Sequence, residues 1–453
     1  MSVARDAMTA NQGALDIVGK NITNSSLPGY VRRRPLLETQ VVGRDGPGGV
    51  AFRGPERVID RFVEARLLSE SSLYGAAKLR AEGLMGLEAA LSPPGGGGVG
   101  ARMSALFGAV TDLATSPADP TKRAAFLARA EEVAESFRTA ASGLSARRQD
   151  LLGKASGEAE EINDRLSQIA DLNVQIAQAT GLGDPAPDLH DRRELLLKET
   201  ADRIPVQVVR EPNGSVSVLS SGTALVTGGE HSTLSVSTDP QQNLRIEATR
   251  ANGSTVDVTS RVDGGSLGGL REARDRDIPA LAADLDQLAF DLAGAMNAVH
   301  SAGFGKDGGT GRPLFTPPGA VAGAAQSLSV SALVAGQPDR VAASSSLAEA
   351  PGGNGAALAF AGLASQPLGP GGTPAARFAA LAGKLGGLQV SADNAVALRA
   401  DTLGMTETMK EQASGVSIEE EMVDLTRYQR AFEASMKVLR VADELLEGLI
   451  RAV

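Results

Sequence analysis

The sequence predicts a mainly α-helical, elongated protein with a small antiparallel β domain inserted mid-chain, and three features predict it. Apolar residues recur at alternating three- and four-residue spacing at both ends of the chain and over long stretches between, the pattern of one-faced helices. Residues 203–262 switch to period two, with apolar pairs separated by short turn-rich segments. The composition is dominated by small side chains, with 53 glycines, 3% aromatic residues and no tryptophan in 453 residues. Long helices packed through small residues fit that composition better than one large aromatic core.

The elements follow in order. Met8, Asn11, Leu15, Val18 and Ile22 share one stripe, so the chain opens with an amphipathic helix. The stretch NITNSSLPGY, residues 21–30, ends it. Asn21, Asn24 and Ser25 favour caps and turns, Pro28 drives Leu27 out of the α region, and Gly29 tolerates positive φ. NIT and NSS also match the N-glycosylation pattern, but a capped helix end is the better reading of so short a motif. A second helix is predicted from about Pro55 to Leu91, with Phe62, Ala65, Leu73, Ala76, Leu84, Leu87 and Leu91 inward. SPPGGGGVG (92–100) breaks it as a flexible linker; without a following Gly-Lys-Ser/Thr it is no phosphate loop.

A shorter helix near 101–115 precedes a long one that starts after SPADPTKR. Phe126, Ala130, Val133, Phe137, Ala140 and Leu144 set its inner stripe, and Ile162, Leu166, Ile169 and Ile176 resume it one residue out of register. Phe126 to Ile162 spans about ten turns, so the slip is what a nearly straight helix shows. Gly143, Gly153 and Gly157 oppose it, at about 1 kcal/mol each relative to alanine. From 203 to 262, Val206 and Val208, Val216 and Val218, Leu234 and Val236, Leu244 and Ile246, and Val256 and Val258 alternate between turn signals, which reads as antiparallel hairpins. Helix returns with Ile278, Leu281, Leu285, Leu288, Leu292, Ala295 and Val299. GFGKDGGTGRP (303–313) is a loop, and 316–374 reads as short helical fragments with one strand at SLSVSAL. The chain closes on a heptad seam of Leu425, Tyr428, Phe432, Ser435, Leu439, Ala442, Leu446 and Leu449, with Glu419, Glu420 and Glu421 at the helix start, where its dipole favours them. The simplest geometry folds the chain back so that both terminal helices lie together. That gives three units: 1–35 with 415–453 as a terminal-helix domain, 36–202 with 266–414 as a helical rod domain, and 203–265 as the β insertion.

Bulk properties exclude several functions. A net charge of −10 argues against a nucleic-acid partner held by phosphate contacts. There is no cysteine, hence no disulfide or thiolate metal site, which suits work outside the cell without redox chemistry. No apolar run is long enough to span a membrane, and the N-terminus lacks the uninterrupted apolar core of a secretory signal. With three histidines and no nucleophile motif, an enzyme has little to stand on, and no cofactor or metal is expected. His190 and Glu194 in DLHDRRELL are at i, i+4, but no second histidine is near, so Asp188, Asp191 and Glu194 read as acidic residues at a helix start. His300 reads as a packed or surface histidine. Arg32, Arg33 and Arg34 read as an edge that pairs with a neighbouring subunit's carboxylates.

ALDIVGKNITNSSLPGYVRRRP resembles the N-terminal motif of the axial proteins of the bacterial flagellum, and GVSIEEEMVDLTRYQRAFEASMKVLRVADELLEGLI is similar to their C-terminal motif. The interior narrows this. RVIDRFVEARLLSESS, LATSPADPTKRAAFLARAEEVAESF, DLHDRRELLLKETADRIPVQVVREPNGSVSVLSSGTALVTGG and NAVHSAGFGKDGGTGRPLF resemble the FlgK-type hook-associated family, over nearly the whole chain. The chain departs from that family in two places: its first helix starts a turn or two late, leaving open a mis-assigned start or a truncation, and its insertion has room for one β domain.

The resemblance implies a non-enzymatic subunit of a layer between hook and filament, secreted through the flagellar export channel. The implied partners are copies of itself, the hook protein, a second hook–filament junction protein and an export chaperone, with no nucleic acid and no membrane insertion. It implies polymerisation contacts at Met8, Leu15, Val18 and Ile22 and at Leu425, Tyr428, Phe432, Leu439, Ala442, Leu446 and Leu449. Asn21, Asn24, Pro28, Gly29 and Tyr30 would form an elbow between the inner tube and the next layer. Short isolated helices are marginal in water, so both termini are expected to be loose in the monomer and to order as neighbours bury their seams. Two other readings stay open. One is a hook or distal-rod subunit of the same superfamily. The other is a surface-exposed binding or adhesive protein with the β unit as its binding module.

Overall fold

The computed structural model describes residues 2–41, 47–92, 95 and 97–452. The chain opens with α1 (Ser2–Asn24), followed by a hairpin of β1 (Arg33–Val41) and β2 (Pro47–Arg57). The sequence reading missed this hairpin and carried its helix back to Pro55. Pro55 lies instead in β2, opposite Pro35, and α2 (Arg61–Leu84) starts only where the Asp60 side chain accepts from the Phe62 and Val63 amides. α2 buries Val63, Glu64, Leu67, Leu68, Ser71, Ser72 and Gly75, whereas Phe62 and Ala65, predicted inward, are exposed. An inner face made of serine and glycine leaves no mark in hydrophobic periodicity.

Gly86, at φ +79, separates α2 from α3 (Leu87–Leu91). Of the predicted linker 92–100, Pro93, Pro94 and Gly96 lie outside the described residues, and α4 (Val99–Thr115) begins inside its far end. α5 (Pro120–Gly181) has 62 residues, about 93 Å of uninterrupted helix. All ten residues predicted to line its inner stripe are buried. Its glycines do not break it, and Gly143 is where Ala90 comes close: a Cβ there would stand 2.8 Å from the Ala90 Cβ.

After α6 (Pro187–Ala201) come β3 (Gln207–Arg210), β4 (Val216–Ser220), β5 (Thr223–Thr227) and β6 (Glu230–His231), in that order in one antiparallel sheet. A second sheet holds β7 (Thr233–Thr238), β8 (Leu244–Thr249) and β9 (Thr255–Asp257). Both sheets dock on α5 through asparagines that imitate a neighbouring strand. Asn163 donates to the Leu234 carbonyl at 2.9 Å and accepts its amide at 2.7 Å. Asn173, fully buried, donates to Val216 and Gly228 carbonyls at 2.8 Å each and accepts from the Val216 amide at 3.0 Å.

α7 (Gly265–Glu272) then passes through a π-helical turn at 273–277 into α8 (Ile278–Ala302), so helix resumes well before the predicted Ile278. Its glycines are contacts rather than breaks: a Cβ on Gly269 would stand 2.1 Å from the Ala76 carbonyl oxygen of α2. The 316–374 stretch holds α9 (Ala324–Ser327) and α10 (Gly355–Leu363), and in place of a strand at SLSVSAL there is a single bridge, Phe315 to Val330. His300 is buried there, its Nδ1 2.7 Å from the Arg312 carbonyl and its Nε2 accepting from the Ala342 amide at 3.2 Å; burial lowers its pKa and keeps it neutral. The chain ends with α11 (Pro374–Ser414), which packs on α2, and α12 (Ile418–Ala452), which lies antiparallel to α1.

One apolar core runs without a break from Leu68 to Ala392 through the helical body and the β sheets. The buried residues of α1 (Ala4, Ala10, Ala14, Ile17 and Val18) are not part of it. The terminal helices and their hairpin thus have an interior of their own, in which a Cβ on Gly13 would meet the Phe52 ring at 2.8 Å.

Candidate functional site

The residues predicted to form the elbow meet at the root of the terminal helix pair. The Leu27 amide donates to the Asn24 carbonyl at 2.9 Å and the Tyr30 amide to the Leu27 carbonyl at 3.1 Å. With Pro28 and Gly29 as central residues and Gly29 at φ +81, the second of these is a type II turn. It swings Tyr30 back over the end of α1, where its hydroxyl donates to Asn21 Oδ1 at 2.9 Å.

Asn21 is fully buried and uses its whole hydrogen-bonding capacity. Oδ1 also accepts from the Arg33 amide at 3.1 Å, and Nδ2 donates to the Arg33 carbonyl at 2.8 Å and to Glu421 Oε2 at 2.9 Å. One side chain therefore ties α1 to the start of β1 and to α12.

The arginines that follow extend the junction. Arg32 is held through its backbone, its amide donating to the Ser414 carbonyl and its carbonyl accepting from the Val58 amide, each at 2.9 Å. Its guanidinium reaches α12, with Nε 2.7 Å from Glu421 Oε1, Nη1 2.6 Å from Glu420 Oε2 and Nη2 3.9 Å from Asp424. Arg33 lies over the Tyr30 ring at 4.7 Å and donates to Asp188 at 2.6 Å and Asp191 at 2.9 Å on α6. Arg57 donates to the other oxygen of Asp191 at 2.7 Å. The expectation that the arginine run pairs with a neighbouring subunit is therefore corrected for Arg32 and Arg33, whose carboxylates belong to the same chain; Arg34 is exposed. Asp188 and Asp191 do more than complement a helix dipole, because they hold the hairpin root.

The rest of DLHDRRELL is structural. Arg193 is buried, donating to Asn173 Oδ1 at 3.0 Å and the Gly214 carbonyl at 2.8 Å, and burial brings its pKa down to about 10. His190 Nδ1 lies 3.0 Å from Arg193 Nη2. Burial, then the charges of Arg193 and Arg57, lower the His190 pKa to about 4. Arg210 bridges Glu64 at 2.6 Å and Glu194 at 3.0 Å, and Glu64 is pushed upward by burial and by Glu194. Among the described residues, no group of three or more His, Asp and Glu is placed to hold a metal. None of their helices is long and apolar enough to cross a membrane.

The predicted polymerisation residues fall into two sets. On α1, Val18 is buried and Met8, Leu15 and Ile22 are half-buried, flanking a more buried line of Ala10, Ala14, Ile17 and Asn21. On α12, Leu425, Tyr428, Phe432, Leu439 and Ala442 are half-buried on the less exposed side of the helix, Leu446 is exposed, and the Leu449 side chain lies outside the described residues. Of the elbow residues, Asn24, Gly29 and Tyr30 are half-buried and Pro28 is exposed. Sequence reasoning missed a second apolar set on α12: Val438, Val441, Leu445 and Ile450 are 54–75% exposed. It also missed the clasp of Arg32, Arg33 and Arg57 with Asp188, Asp191 and Glu421. The matched runs RRR and EEE were the available signal, but nothing in sequence says that two ends of one chain meet.

Two family models match the chain. The one described as the flagellar hook-associated protein FlgK helical domain covers residues 84–315, and the flagellar basal body rod FlgEFG protein C-terminal model covers 411–452. Flagellar hook-associated protein 1 of Bacillus subtilis is 25% identical over 499 residues, which cover 100% of this chain and 98% of that protein. Its namesake in Salmonella typhimurium is 28% identical over 323 residues, 69% of this chain and 58% of the relative. This chain thus spans under two thirds of the Salmonella protein. A solved structure of the flagellar hook junction protein FlgK from Burkholderia pseudomallei superposes with a TM-score of 0.51 at 28% identity, over 56% of this chain and 46% of that one.

Proposed function

The chain belongs to the FlgK family of flagellar hook-associated proteins, and we propose that it is a non-enzymatic structural subunit joining hook to filament in the bacterial flagellum. The observation that carries this reading is the paired terminal helices: α1 and α12 are locked at one end by Asn21 and Arg32, yet α12 keeps an open apolar face. A helix with one face on its partner and another bare is built to be covered by further helices.

Copies of this chain would cover that face in a ring or helical layer, with the hook protein on one side and a second junction protein on the other. An export chaperone would shield it beforehand, and passage through the flagellar export channel would bring the protein to the outside of the cell. The seam residues Met8, Leu15, Val18 and Ile22, with Leu425, Tyr428, Phe432, Leu439, Ala442, Leu446 and Leu449, would set the pair that neighbours recognise. The elbow of Asn21, Asn24, Pro28, Gly29 and Tyr30 would fix the angle at which the pair leaves the body. Residues 1–35 with 415–453, 36–202 with 266–414, and 203–265 would act as three units. Order coupled to assembly then belongs to the far end of α12 rather than to both whole helices, because the root of the pair is already joined within one chain.

The test is electron microscopy of cells lacking the gene, with an immunoblot of the medium for flagellin. Hooks without filaments and flagellin lost to the medium are expected. Absent hooks would move the protein to the rod or hook, and normal flagella would refute the assignment.

A further inference from the structure

We propose that the terminal helix pair and the helical body are two bodies joined at an adjustable angle, and that Arg32 is the latch selecting that angle by choosing among Glu420, Glu421 and Asp424. The inference concerns the single chain and does not rest on the flagellar reading.

Each body has its own apolar interior, and the continuous core of the helical body contains none of the buried apolar residues of α1. Apolar contact therefore does not fix the angle between them; the ties described at the joint are polar. A cleft of ≈ 960 Å³ opens between the elbow turn and the end of α11, with Ser26, Leu27, Lys410, Ser414 and Ser417 among its walls. Beside it runs the non-helical link between α11 and α12, residues 415–417.

Arg32 is anchored to the body by its backbone bonds to Ser414 and Val58, while its side chain grips the terminal pair. Its three carboxylates lie within one turn of α12, at 2.6, 2.7 and 3.9 Å. A tilt or turn of the pair that lengthens the Glu421 contact shortens that to Asp424, so the arginine exchanges partners without becoming an unpaired buried charge. Exchange of this kind yields discrete positions of similar energy, the requirement for a two-state joint. Glu420 and Asp424 are partly exposed, so neither pairing is strong enough to forbid the exchange.

The chain's lack of cysteine makes the test direct. Gln429→Cys on α12 and Glu160→Cys on α5, both at exposed positions, carry spin labels for pulsed dipolar distance measurement on the full-length monomer. With Arg32 present, one narrow dominant distance is expected. Arg32→Gln should broaden it into at least two populations while the helical circular dichroism stays unchanged. Arg32→Lys, still able to pair with any of the three acids, should restore most of the original population. An unchanged narrow distance in Arg32→Gln would overturn the latch. So would a distribution already broad with Arg32 in place, a loss of helix in Arg32→Gln, or no recovery with lysine.

Discussion

Single side chains at the elbow hold more structure than their size suggests. Asn21→Ala removes four hydrogen bonds and leaves both polar groups of Arg33, and one oxygen of Glu421, without their partner. The expected loss is roughly 3 kcal/mol or more, read as faster hydrogen exchange in α1 and at the start of β1. Unchanged protection there would mean that Asn21 is replaceable by water. His190 makes a pH statement. Its folded pKa of about 4 lies below the ordinary 6.5, so between these values the unfolded chain binds more protons than the folded one. Stability should therefore fall as pH drops from 6.5 towards 4. Glu64, raised by burial and Glu194, works in the opposite sense, so the contribution of His190 is isolated by difference. His190→Gln should flatten the stability profile over that window in urea titrations; an unchanged slope would exclude the histidine as its source.

At the scale of elements, small residues decide which helices touch. α2 meets the end of α6 so closely that a Cβ on Gly75 would stand 2.0 Å from the Asp202 carbonyl oxygen. Gly75→Ala should cost at least about 3 kcal/mol, because backbone rather than a movable side chain must yield. Gly153 lies on α5 with nothing within 4 Å of its would-be Cβ. Gly153→Ala should stabilise by about 0.5–1 kcal/mol. Thermal unfolding of the two variants should therefore move in opposite directions, and a common sign would contradict this account of the helix contacts. Asparagines play the matching part for the sheets, since Asn163 and Asn173 present to strand backbone the donor and acceptor of a missing strand.

At the scale of the whole molecule, the two faces of α12 should separate in their effects. Leu439→Glu puts a charge on the half-buried seam and should loosen the helix pair and block assembly while leaving the interior folded. Val441→Glu alters the open face, so the monomer should keep its fold and lose only assembly. Circular dichroism of the purified variants and filament counts in complemented cells distinguish the outcomes; normal filaments from both would refute a role for α12 in assembly.

Sequence by itself determined the elements whose burial follows a period. The inner stripe of α5, the turn at Pro28 and Gly29, the alternating strands of the insertion and the two terminal helices all carry their pattern locally. An apolar side chain buried every three or four residues, or every second one, is visible without knowing what covers it. Tertiary structure alone decided the rest. The serine and glycine face of α2 and the glycines of α7 carry no apolar mark, because close approach of backbone, not hydrophobic area, holds them. The β1–β2 hairpin lacks clean alternation, since β1 is largely exposed and β2 lies against α1. The clasp of Arg32 and Arg33 with acids some 155 to 389 residues away is a long-range pairing of charges. Charges in a sequence read as solvated until the fold brings their partners within reach.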